Sequence, residues 1–500
     1  MVRGTYLYKG NVRHSIAWKG IPYAQANRFE PSTRARRWNS PLDATNFGPS
    51  CQQDVKESYY GSVYWNKLQS MSENCLNLNI YKPISSSRDL PVTVWIHGGD
   101  FQYGSSALNT FDLSEFAAAT KTIAVSFNYR LDIFGFLKTG FIVKGNLGLL
   151  DQQRAIKWVS KNIHRFGGDP NRITLAGEGA GGMSVSFHLL SPKSSKYFQQ
   201  AIILNGDPIN KWHFDSAQEA LEKSKHFAEI LECPDEFEES YVTCLKGKSV
   251  KNIMDVVPET LVDTFDRIPF APTVDSEFFS DNPRKLLTKA KHLNGVRVIV
   301  GMNGNAGSLA SREFLPMSDK NTMDEDTFRF SVEMALTPFS EELQEKAIDF
   351  YIENDQKGTD NFVKTFNNLA GDLKYGCSSQ EFVDILHAKG AEVQKLFFNH
   401  RSQYSKWPQW AGVVQQDELM YILGEPFRQN PVINFTERER QLSKTLMAMF
   451  GKFVKEEPMK KWPKYAKNKV ALRVQDGELK TIANHFYRKK FCDFWKANEN

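Results

Sequence analysis

Hydrophobic positions follow two alternating rhythms along the chain. Short apolar runs, such as Ile173-Thr174-Leu175-Ala176, residues 296–300 and Phe397-Phe398, have the length and β-branched or aromatic content of buried strands. Between them lie stretches with helical spacing: Ala155, Trp158, Val159 and Ile163 share one face, as do Leu442, Leu446, Met449, Phe450 and Phe453. The β-rich run at 171–176 ends at a group of glycines, and 183–190 reads as the helix behind them. Further on, Ser378 with Glu381 is expected to cap a helix carrying Phe382, Ile385 and Leu386, and a last helix carries Phe486, Phe491 and Phe494. Strand and helix signals alternate without a repeat, a low-complexity block or a Pro/Gly-rich linker. That pattern predicts an α/β fold with a mostly parallel, doubly wound central sheet and helices on both faces. Length alone would suggest three domains.

Composition narrows the function classes. Hydrophobic residues make up 41% of the chain, enough for a large core, and the net charge of +5 is small for 500 residues. The basic clusters at 34–37, 460–469 and 488–490 are short and read as solvated surface. No groove-reading element accompanies them, so no nucleic-acid partner is expected. The chain as given has neither a leader-type apolar stretch nor an apolar run long enough to span a bilayer. Six cysteines occur without a C-x-x-C or an H-E-x-x-H, so neither a metal nor a cofactor is expected. Asn434-Phe435-Thr436 is a glycosylation sequon just before a helix whose capping signal is Thr436 with Glu439.

The candidate chemistry centres on Gly177-Glu178-Gly179-Ala180-Gly181-Gly182. A G-x-S-x-G elbow lifts a serine hydroxyl above the sheet on a sharp strand-to-helix turn, and here Gly179 stands where the serine would be. A lone G-x-G-x-G is weak, but other segments join it: Gly20-Ile21-Pro22-Tyr23-Ala24, Ser72-Glu73-Asn74-Cys75-Leu76-Asn77, Trp95-Ile96-His97-Gly98-Gly99, Phe127-Asn128-Tyr129-Arg130 and Gly145-Asn146-Leu147-Gly148. Together they resemble the cholinesterase and carboxylesterase family over nearly the whole chain. The resemblance implies the α/β-hydrolase fold and overrides the length prior, so residues 1–500 are taken as one domain.

It also implies where the rest of a catalytic triad would lie. The family's acid falls in a G-x-N-x-D-E-G segment, and Gly301-Met302-Asn303-Gly304-Asn305-Ala306-Gly307 puts Ala306 there. Its histidine falls in G-V-x-H-G-x-E, and Gly412-Val413-Val414-Gln415-Gln416-Asp417-Glu418 puts Gln415 there. The oxyanion positions read Gly98, Gly99, Asp100 and Ala180, with a carboxylate in place of one glycine. With all three triad positions substituted, the expectation is a pseudoenzyme. Ser184, His400 and Glu178 are read as structural residues. The resemblance further implies the disulfides 51 with 75, 233 with 244 and 377 with 492, hence an oxidising compartment. It implies the ion pairs Arg28 with Glu73 and Arg130 with Asp169, and a pocket lined by Trp65 and Trp212.

Catalytically silent cholinesterase-like ectodomains act in cell adhesion. That likeness implies a surface protein binding a different extracellular protein, of immunoglobulin type, in a neuronal and axon-guidance setting. A membrane anchor is expected before residue 1, giving a type II protein with this domain on the extracellular face of the plasma membrane. Homodimerisation is expected through 378–390 and the C-terminal helix. Two other classes stay open: a small-molecule carrier using the vestigial gorge, and a hydrolase with an atypical site.

Overall fold

The apolar runs pair edge to edge in the computed structural model, which describes residues 1–498 apart from 11, 55–67, 69, 86, 210–212, 235, 261–267, 314–321, 338, 357, 359, 430 and 432. Among the described residues eleven strands form one sheet. Their spatial order is Glu478–Ile482, Ala471–Gln475, Glu392–Asn399, Arg297–Asn303, Gln200–Leu204, Gly168–Glu178, Leu90–Ile96, Ile123–Phe127, Asn77–Pro83, Val12–Pro22 and Thr5–Lys9. The strands from Ala471–Gln475 to Ile123–Phe127 are parallel to one another, and both margins are antiparallel.

Alternate side chains of each central strand enter two different cores, as the period of two demands. Val94, Ile96, Leu175 and Ile203 belong to one, and Trp95, Ala176 and Ile202 to the other. The helix Leu147–Asn162 buries Ala155 and Val159 against the first core. The helix Glu437–Val454 buries Leu442, Leu446 and Phe450 against the second. Its capping pair closes in both directions: the Glu439 N–H donates to Thr436 Oγ1 (3.2 Å) and the Thr436 N–H to Glu439 Oε2 (2.7 Å). Asn434 is exposed just ahead of it.

The cap expected at Ser378 is not there. Helix Val363–Gly371 runs through a π-turn, Asp372–Gly376, into Cys377–Ala388, and Gly371, Gly376 and Cys377 all keep right-handed helical dihedrals. With no free N-terminus to cap, the Ser378 hydroxyl donates instead to Asp207 Oδ2 (2.8 Å), and Glu381 pairs with Arg284. Phe382 and Leu386 are wholly buried, and Phe491 and Trp495 of the last helix, Lys489–Asn498, enter a third, smaller core.

Cys51 bonds Cys75, Cys233 bonds Cys244, and Cys377 bonds Cys492 across 115 residues. Closing a loop of that last length in the unfolded chain is worth about 4–5 kcal/mol on the chain-entropy account. Arg28 and Glu73 form a two-point pair (2.5 and 2.8 Å). Arg130 does not reach Asp169. It is buried against Asp151 (2.6 and 2.9 Å), which the helix Leu147–Asn162 presents, while Asp169 takes Arg172 (2.8 Å) from its own strand. Arg488, expected as solvated surface, is an internal tie to Asp355 (3.0 Å) and Asp372 (2.8 Å). No helix of the described residues is long and apolar enough to cross a membrane.

Candidate functional site

The strand Gly168–Glu178 ends at Gly179, whose φ of 57° and ψ of −126° turn the chain directly into the helix Ala180–Leu190. That turn is a glycine conformation, and a Cβ at 179 would meet nothing within 4 Å. The elbow therefore has its shape and the room for a side chain, but no side chain. The helix start lies so close to the neighbouring strand end that a Cβ at Gly181 would come within 2.2 Å of the Ile96 carbonyl. This contact explains the small residues flanking the turn.

Beside the elbow, the loop after Leu90–Ile96 carries His97, Gly98, Gly99 and Asp100. Gly98 packs against Glu178: a Cβ there would lie 2.6 Å from the Glu178 carbonyl. Asp100 adopts a left-handed φ of 50°, followed by Phe101 at 61°. A residue with a side chain pays of order 1 kcal/mol for that region, less for Asp than for most. Its carboxylate is fastened by the Tyr103 hydroxyl (2.9 Å), and His213 Nε2 lies 3.6 Å away. The wholly buried Lys374 is pushed well down by desolvation, with the charge of Asp100 acting against that shift. A negative group fixed this close to the elbow would oppose any negative charge developing there.

Ala306 and Gln415 come from two loops that are stitched together. The Asn305 N–H donates to the Val413 carbonyl and the Val413 N–H returns to Asn305 Oδ1, both at 3.0 Å. Behind them Asn205 Nδ2 donates to Glu418 Oε1 (3.0 Å), and Asn303 Nδ2 donates to Glu418 Oε2 (2.7 Å) and to the Val414 carbonyl (2.6 Å). Glu178 is sealed in the same place. Burial, then the charges of Glu418 and Asp100, hold its carboxyl well above the usual range, and burial pushes Glu418 up to about 7. The loops at 303–306 and 413–418 are thus joined to each other and to Asn205, and the three positions expected to carry the chemistry hold a glycine, a buried methyl and an amide. Gln415 Nε2 is buried without a hydrogen-bond partner among the described residues. None of these can take a proton from a hydroxyl or attack an acyl carbon.

The other candidates are structural. Ser184 Oγ donates to the Ala180 carbonyl (2.8 Å) and accepts from Gln152 (3.0 Å) inside the helix. His400 is buried with Nε2 3.5 Å from Glu439. His97 is stacked on Tyr129 at 4.5 Å, and burial lowers it to about 4. Trp65 and Trp212 lie outside the described residues. No cluster of three or more His, Cys, Asp or Glu side chains set to hold a metal occurs among the described residues. Sequence reasoning did not single out Asn205, Tyr103, His213 or Lys374. They come from distant segments, and only the charge at Asp100 could have prompted a search for partners.

A sharp strand-to-helix turn over a mostly parallel sheet defines an α/β-hydrolase. The chain belongs to the carboxylesterase family, whose match spans residues 1–495. It is 31% identical over 503 residues to acetylcholinesterase of Bungarus fasciatus, covering 96% of this chain and 82% of that protein. It is 31% identical to acetylcholinesterase of Electrophorus electricus, covering 91% and 78%, and 30% identical to cholinesterase of Mus musculus, covering 96% and 82%.

Proposed function

We propose that this chain is a non-catalytic member of its family, a cell-surface adhesion ectodomain of the neurotactin type. It acts by binding a different extracellular protein, of immunoglobulin type. One observation supports the first half of this reading: the turn at Gly179 has room for a side chain but carries none, and the residues that align with the family's acid and histidine are Ala306 and Gln415. Losing one member of a triad already costs about 10⁴–10⁶ in turnover. The three disulfides and the exposed Asn434 support an extracellular setting. A homodimer through 378–390 and the last helix would have to use Ile385 and Phe494, which are only partly covered.

Because the relatives are named as cholinesterases, the decisive test is chemical. Purified protein is incubated with acetylthiocholine, nitrophenyl esters and an organophosphate. The expected result is no turnover and no adduct by intact-mass measurement, and a stoichiometric adduct would overturn the proposal. Binding is then read by surface capture against a panel of secreted immunoglobulin-type proteins. The room in front of Gly179 also favours a second reading, a carrier for a small hydrophobic or cationic ligand, which a thermal-shift screen with such compounds reads out.

A further inference from the structure

Two surfaces far from the elbow complement one another. At the first, Phe141 is 92% exposed and Ile142 49%. They sit on a tight turn closed by the Thr139 N–H to the Val143 carbonyl (2.8 Å). The Glu238 carboxylate pins that turn, accepting from the Phe141 N–H (3.0 Å), the Ile142 N–H (2.7 Å) and the Thr139 hydroxyl (2.6 Å). The residue before Glu238, Phe237, is itself 69% exposed. Three large apolar side chains are thus held out in water on a pinned frame. The exposed carboxylates of Glu232, Glu236 and Glu239 accompany Phe237, and the exposed Lys144 follows the turn. Exposed apolar groups on a pre-organised frame are the usual anchors of protein contacts.

The second surface is an open groove of about 910 Å³ beside the hairpin Thr5–Lys9 and Val12–Pro22, the helix Ser114–Thr120 and the helix Glu437–Val454. Lys9, Arg13, Lys121 and Lys444 line it together with Val12, Ile84, Phe427 and Met447. Its carboxylate, Glu115, is taken up by Lys9 (3.1 Å) and His14 (3.5 Å), and no ion pair joins Arg13, Lys121 or Lys444 to an acid among the described residues. The groove is therefore both apolar and cationic where the projecting turn is apolar and acidic. The two lie on opposite faces of the sheet: Val143 and Tyr241 belong to one core, Phe116 and Met447 to the other.

We propose that the projection around Phe141 and Phe237 of one copy seats in the Lys9–Arg13–Lys121–Lys444 groove of a second copy. Two different patches on opposite faces make a head-to-tail contact, which extends from copy to copy rather than closing at two. Ring and aliphatic contacts supply the anchor, and the carboxylates facing lysines set register and salt sensitivity.

Sedimentation velocity on the purified chain tests this independently of the functional reading above. The sedimentation coefficient should rise with concentration from micromolar upward, and less so at high salt. Phe141→Asp with Phe237→Asp should weaken association by at least about 10-fold, and so should Arg13→Glu with Lys444→Glu. Mixing the two double variants should restore a complex that stops at two copies, because each retains the patch the other has lost. Circular dichroism checks that both remain folded. A chain that stays single at every concentration, or associates equally in both variants as a contact through 378–390 would, overturns the proposal.

Discussion

At the C-terminal ends of the central strands polar side chains face one another: Asn205 and Asn303 hold Glu418, and their loops hold each other. At residues 139–143 the same kind of group works outward, with the Glu238 carboxylate gripping backbone so that Phe141 and Ile142 are left to water. The first region gathers buried carboxyls and amides inside the fold and ties its loops together. The second has no chemistry and offers a surface. The difference is one of direction: one carboxylate fastens loops inside the fold, and the other fastens a turn that presents apolar side chains to water.

That comparison can be broken from its inner side first. Arg130→Met strands the buried Asp151 carboxylate and should cost about 3–5 kcal/mol of stability in urea unfolding. A loss below about 1 kcal/mol would mean the pair does not fasten the frame. If the wiring truly positions the loops, Gly179→Ser, Ala306→Glu, Gln415→His and Asp100→Gly together should hydrolyse a nitrophenyl ester at least ~10²-fold faster than Gly179→Ser alone. Equal rates would show that the loops have moved out of catalytic register.

The buried acids give a pH signature. A carboxyl whose folded pKa stands above its unfolded value binds its proton more tightly when folded. Its contribution is complete at acid pH and lost as pH rises from the ordinary carboxylate range through the folded value, about 7 for Glu418. Glu178→Gln removes one of these titrations. It should raise stability at pH 8 by about 1–3 kcal/mol and leave it unchanged near pH 4, read by thermal unfolding across pH. Identical pH profiles for variant and parent would sink this account. The smallest effect is that of Gly179→Ser alone. Its left-handed φ should cost about 1 kcal/mol and bring no ester turnover.

Much of the frame was legible in the sequence because it rests on local periodicity. The strand ending at Glu178, the helix behind Gly179 and the Thr436–Glu439 cap all follow from spacings of a few residues. The partner of Arg130 was not legible, since Asp151 and Asp169 are both near in sequence and only the docking of the helix Leu147–Asn162 selects between them. Ser378 has the right neighbours for a cap, but a π-turn carries the preceding helix through it. Nothing local to Phe141-Ile142 reveals that Glu238, nearly a hundred residues on, turns it outward.

Phe237 and Glu238 lie inside the segment that the Cys233–Cys244 bridge closes, only 11 residues apart. One covalent link thus tethers both the anchoring ring and the acid that shapes the neighbouring turn. A thiol reductant reaching that bond would slacken the whole projection without touching the sheet. The geometry of this projection is therefore fixed by an oxidation step as well as by folding.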